Sequence, residues 1–160
     1  MDKVIIYTRK DGGVSILRPT KEQRELFDSD EQCLQDSIDK SIPNDASDVM
    51  IVSKDSLISD RTFRNAFKID TKNNKIVHDM DKAKDLLKED LRHKRVPLLN
   101  ELDVQFLKAV ELDDEKKKAK VVVNKKKLRD VTEDKRITKA EDVEELKKLL
   151  FEGIHYDFKD

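Results

Sequence analysis

Between Asp79 and Leu112 the chain carries an apolar stripe at helical spacing, Leu87, Leu91, Leu98, Leu102, Phe106 and Ala109, set among residues that are mostly charged or polar. Side chains three, four and seven positions apart meet on one face of an α-helix, so the run predicts one long helix with a narrow apolar seam. Such a seam needs a partner. Asp113-Asp114 reads as a turn and N-cap, and residues 115–129 as a second helix returning antiparallel over the first. Pro97 lies inside the first arm, where a missing N–H and a crowding ring cost ~3 kcal/mol in an unbroken helix. A kink or break is therefore expected near 93–97.

Composition fits exposed helices better than a thick core: 43% of residues are charged, 36% are hydrophobic and Trp is absent. A chain of 160 residues can still bury enough apolar surface to fold without disulfides or metals. The lone cysteine, Cys33, has no internal partner and reads as a small core residue suited to a reducing compartment. The N-terminus has only a short apolar run, and nowhere do 18 apolar residues follow one another. Neither a signal peptide nor a membrane span is expected, which points to the cytoplasm.

Upstream of the hairpin the pattern is mixed. Lys3 to Arg9 and Val14 to Arg18 are β-rich runs around Lys10-Asp11-Gly12-Gly13, whose glycines supply positive φ for a tight reversal. Thr20 and Gln23 make a capping-box pattern, and Leu26, Phe27, Leu34 and Ile38 continue it as one helix at about 21–40. Val49-Met50-Ile51-Val52 suits a central strand buried on both faces, and residues 65–69 and 75–78 flank a second hairpin turn at Thr71-Lys72-Asn73-Asn74. Thr138 and Glu141 form another capping-box pattern, before a short helix bearing Val143, Leu146 and Leu150. The predicted class is α+β: a β-rich module with one helix at 1–78, then a charged antiparallel helical hairpin and a short C-terminal helix at 79–160.

Few residues suggest chemistry. His78, His93 and His155 lack the spacing that puts two metal ligands on one helix face. Asp70-Thr-Lys-Asn-Asn-Lys departs from a calcium loop where Lys72 replaces an oxygen ligand and Lys75 replaces the bend glycine. Paired carboxylates lie in polar surroundings that do not tune them for acid–base work. No catalytic residue, metal or cofactor is expected, and the reading is of a protein that is not an enzyme.

Two patches suit binding instead. Arg61, Phe63, Arg64 and Phe67 combine side chains that dominate interface hot spots, although the favoured reading is a turn docking its Phe pair on the core, capped by Asp60. Leu98, Leu102 and Phe106 are the hairpin residues nominated to meet a partner, or to close the seam within one chain or between copies. The basic stretch Lys116, Lys117, Lys118, Lys120, Lys125, Lys126, Lys127 and Arg129 contains no acid, whereas residues 141–160 hold seven acids against three bases and are expected to offset it. With no interleaved aromatic for base stacking, the stretch reads first as a solvated face, then as a contact for an acidic protein, and last as a nucleic-acid-binding surface.

Several landmarks recur together: Ile6-Tyr7-Thr8-Arg9-Lys10-Asp11-Gly12-Gly13-Val14-Ser15, Asp60-Arg61-Thr62-Phe63-Arg64-Asn65-Ala66-Phe67, Asp79-Met80-Asp81-Lys82-Ala83, Pro97-Leu98-Leu99-Asn100-Glu101-Leu102-Asp103-Val104-Gln105-Phe106, Lys127-Leu128-Arg129-Asp130 and Glu144-Glu145-Leu146-Lys147. In this order the chain resembles proteins encoded by tailed phages and prophages beside tail and tail-fibre genes. Its charged hairpin and following helix are similar to C-terminal parts of tail-fibre assembly proteins. The resemblance implies a virion-assembly protein that binds other phage tail or virion proteins in the host cytoplasm, self-association being a further option. The alternatives are a structural component retained in the virion and a nucleic-acid-binding regulator using residues 116–129. The group lends no catalytic residues to this chain.

Overall fold

The computed structural model describes residues 2–152, so His155 and the end of the acidic 141–160 segment lie outside the described residues. The fold is α+β, with small antiparallel sheets first and helices after. It divides into two compact units at Asp79/Met80.

In the first unit, β1 (Lys3–Thr8), β2 (Val14–Leu17) and β3 (Ser47–Ser53) form an antiparallel sheet in the order β2-β1-β3. Gly12, at φ 75°, supplies the positive φ of the first turn, which Asp11 Oδ1 closes by accepting from Gly13 N at 2.8 Å. Alternation puts Val4 and Ile6 on one face beside Val52, and Phe67 and Ile76 complete that core. Ile5 faces the other way, also fully buried, and α2 (Asp30–Ser41) packs against β1.

The central strand is thus β1. The expected central strand, Val49 to Val52, is instead an edge: Val52 is buried, but Val49 and Ile51 remain 39% and 43% exposed. A continuous apolar run cannot by itself distinguish two buried faces from one buried face and one open. The register shifts near its start, where Asp48 takes φ 51° and its Oδ2 accepts from Thr8 Oγ1 at 2.9 Å.

The single helix expected at 21–40 is two. Thr20 does cap α1 (Lys21–Arg24), but Ser29 then accepts from Gln32 N at 3.2 Å and starts α2 afresh. The first helix stops at Arg24, and the Ser29 hydroxyl gives the next one its own cap. Leu26 is left exposed, while Gln23 Nε2 reaches Ser37 Oγ at 2.8 Å and ties the pieces together. Cys33 is buried in α2. The second hairpin, β4 (Phe67–Asp70) and β5 (Lys75–His78), forms as read, with Asn74 at φ 50°. Asp70 accepts from Lys72 N, Asn73 N and Asn73 Nδ2, and the last of these holds its carboxyl below the usual range.

In the second unit, α3 (Met80–Glu111) runs unbroken through Pro97. The proline takes away the donor for the His93 carbonyl, but both residues are exposed, so water can satisfy that oxygen. Leu91 before it and Leu102 after it are buried and hold the two halves in one seam. Asp113, at φ 52°, ends the helix, and Asp114 caps α4 (Glu115–Asp130) by accepting from Lys117 N at 2.9 Å. The arms close on Leu102, Val121 and Leu128, flanked by Leu98, Leu99 and Phe106. Each such fully buried leucine contributes ~1.5–3 kcal/mol. A short helix the sequence did not suggest, α5 (Lys135–Lys139), contains Thr138 and precedes α6 (Val143–Glu152). The cap of α6 is therefore Asp142, accepting from Glu145 N, while Glu145 Oε2 accepts from Glu141 N, both at 2.9 Å.

Candidate binding surfaces

The Arg/Phe patch separates by burial. Phe63 and Phe67 are core residues, and Phe67 meets the His78 ring edge-on with centroids 5.1 Å apart. The local fold requires this: Asp60 Oδ1 accepts from Thr62 N and Thr62 Oγ1, the turn continues into a 3-10 segment at Arg64–Ala66, and both phenylalanines point inward. Of the four nominated residues, Arg61 and Arg64 reach the surface. They present two cations without the aromatic anchors that would make a hot spot.

Leu98, Leu102 and Phe106 are spent in the same way. Leu102 is fully buried and the other two half-buried against α4, so the seam closes within one chain. The sequence stripe marks the hairpin's own core.

The basic arm is divided by its own helix. Lys125 pairs with Asp103 of α3 and stands over the Phe106 ring at 5.1 Å, and Lys118 pairs with Glu115 and Asp113. Glu115, followed by Asp113, accepts from its ammonium and holds Lys118 above the usual lysine range. On the other flank a shallow cleft of about 300 Å³ lies between Gln105 of α3 and Lys116, Lys117, Lys120 and Asn124 of α4, with Val121 at its floor. Lys126, Lys127 and Arg129 are exposed near the end of the arm, and the Arg129 carbonyl accepts from Arg95 Nη1 at 2.7 Å.

Three carboxylates of the acidic segment, among the described residues, engage partners other than the basic arm. Glu144 pairs with Lys147, Glu145 with the Glu141 backbone, and Glu152 with Arg136, which also binds Asp134. For Glu144 and Glu145 the partner lies within one helical turn and costs less entropy to hold than a distant lysine would.

Two surfaces escaped the sequence reading. One is the outer edge of β3, which among the described residues pairs with no further strand and carries the exposed Val49 and Ile51. The other is a second line of apolar side chains on the hairpin, Val96, Leu107 and Val110 on α3 with Val122 on α4. The first was concealed because a continuous apolar run reads as a strand buried on both faces, and the second because it lies off the stripe that reads as core.

Among the described residues no group of three or more His, Cys, Asp or Glu side chains is placed to hold a metal ion, and no helix is long and apolar enough to cross a membrane. Comparison with protein families, curated proteins and solved structures finds no match.

Proposed function

We propose that this chain is a phage virion-assembly protein that acts on the tail or tail fibre by binding other virion proteins. The sequence resemblance supplies the setting, and the observation that supports a binding role is the open edge of β3. Seven residues from Ser47 to Ser53 offer a row of backbone donors and acceptors on the side away from β1. A free strand edge is a template for a partner strand. Backbone hydrogen bonds would supply affinity, and the half-exposed Val49 and Ile51 would select apolar side chains on the incoming strand.

Deleting the gene from the phage that carries it is expected to leave particles without functional tails by electron microscopy. Restoring a Val49→Lys/Ile51→Lys chain should not rescue them, while restoring the wild type should. Normal infectious particles after deletion would refute the proposal. Mass spectrometry of purified virions addresses the retained-component alternative: an assembly factor is absent, and a stoichiometric presence would make the chain a structural subunit. For the basic arm, retention of duplex DNA at physiological salt, lost when Lys116, Lys117, Lys120, Lys126 and Lys127 become Gln, would favour the nucleic-acid reading.

A further inference from the structure

On α3, Arg92, Val96, Leu99, Asp103, Leu107 and Val110 follow one another at spacings of three or four residues, a second stripe displaced by about 100° from the one through Leu102. Apart from Leu99, which is half-buried against the Leu102 core, its apolar members are open: Val96 is 51% exposed, Leu107 61% and Val110 48%. Asp103 lies in the middle of it and pairs with Lys125, so the same flank of α4 carries Val122, three residues before Lys125 and 54% exposed. The two arms thus present exposed apolar side chains on one flank, around the Asp103–Lys125 pair. The Lys116, Lys117 and Lys120 cleft, reached from α3 by Gln105, is on the other flank.

Charge divides this flank by its ends. At the base are Arg92, Arg129 and Lys126, all exposed. At the tip are Glu111, Asp113, Asp114 and Glu115, where Lys118 engages Asp113 and Glu115. An apolar strip with opposite charge at its two ends is complementary to itself when a second copy is turned end for end. We infer that the occupant of this flank is a second copy of the same chain, the two hairpins packing antiparallel into a four-helix bundle.

A two-fold axis near Asp103 sets Val96 against the partner copy's Val110, Leu99 against its Leu107, and the basic base against the acidic tip. Over the fifteen residues from Val96 to Val110 the contact runs about 21 Å along the helix. A parallel arrangement would set like charges together at both ends and is disfavoured. The inference stands apart from the assembly reading, because a monomer with an open β3 edge would leave that reading intact.

Sedimentation of the full chain from micromolar to near-millimolar concentration tests it. The wild type is expected to be a dimer at the upper end, and Leu107→Glu to raise the dissociation constant by ~100-fold or more while the helical circular dichroism stays unchanged. Two charge-reversed variants remove any dependence on that one substitution. Arg92→Glu/Arg129→Glu has two acidic ends and Glu111→Lys/Glu115→Lys has two basic ones, so each alone should be monomeric and a mixture should dimerise. A wild type that is monomeric throughout, a Leu107→Glu chain that still dimerises, or a mixture that stays monomeric would overturn the inference.

Discussion

Replacing Pro97 with alanine probes how the hairpin tolerates a helix breaker in its longest arm. A proline in a helix interior costs ~3 kcal/mol relative to alanine. Part of that cost is already relieved, because His93 and Pro97 are exposed and a hydrated carbonyl oxygen forfeits only the net worth of its bond, ~0.5–1.5 kcal/mol. Removing proline also frees the unfolded chain, which works against the gain by ~0.4–1 kcal/mol. The balance is an expected stabilisation of ~1–2 kcal/mol. For a unit running from Met80 to Asp160, each kcal/mol moves the melting temperature by about 4–8 °C, so a rise of at least ~4 °C should appear in thermal melts followed by circular dichroism. The Leu107→Glu background keeps self-association out of the comparison. A lower melting temperature would refute the reasoning, since it would mean that Pro97 sets a bend the hairpin needs.

Other substitutions test other parts of the structure. Leu102→Ala should cost ~2–5 kcal/mol in urea unfolding, because it opens a cavity between Val121 and Leu128 in a core that has few other members. Asp142→Ala should lower stability by ~0.5–2 kcal/mol and reduce helical signal, whereas Thr138→Ala should show no loss of a cap. Asp134 is held below the usual carboxylate range by its hydrogen bonds from Arg136. A depressed folded-state pKa contributes stability above the unfolded value, near 3.9, that disappears as pH falls through the folded value. The Asp134→Asn chain should therefore lose less stability than wild type on acidification below about pH 4, read from urea midpoints at each pH.

The elements that were legible in the sequence carry their own local signal. Glycine at 12, asparagine at 74 and the Asp113-Asp114 pair mark turns because few other residues take those backbone angles, and the structure puts positive φ at Gly12, Asn74 and Asp113. The Leu102 seam was legible for a similar reason, its period being that of a helix. Boundaries set by competing caps were harder. Ser29 with Gln32 and Asp142 with Glu145 are patterns as good as those chosen, and only the packed chain shows which one holds the backbone donors.

Surfaces were the least legible. Val49 and Ile51 look the same in sequence whether a strand or water lies beyond them, and Val96 and Leu107, off the Leu102 stripe, carry no local signal of what covers them. Phe63 and Phe67 were the exception: their favoured reading, a turn capped by Asp60 that docks both rings on the core, is the arrangement found, although the same residues also suit an interface. Burial depends on which elements meet, and that is not written in spacing alone.

The most direct test of a binding role through β3 places a photo-activated cross-linking amino acid at position 51 in infected cells, with position 22, exposed on α1, as the control. A single adduct from position 51 with a tail or fibre protein, absent from position 22, is the result expected. No adduct from position 51, or the same adducts from both positions, would contradict the account.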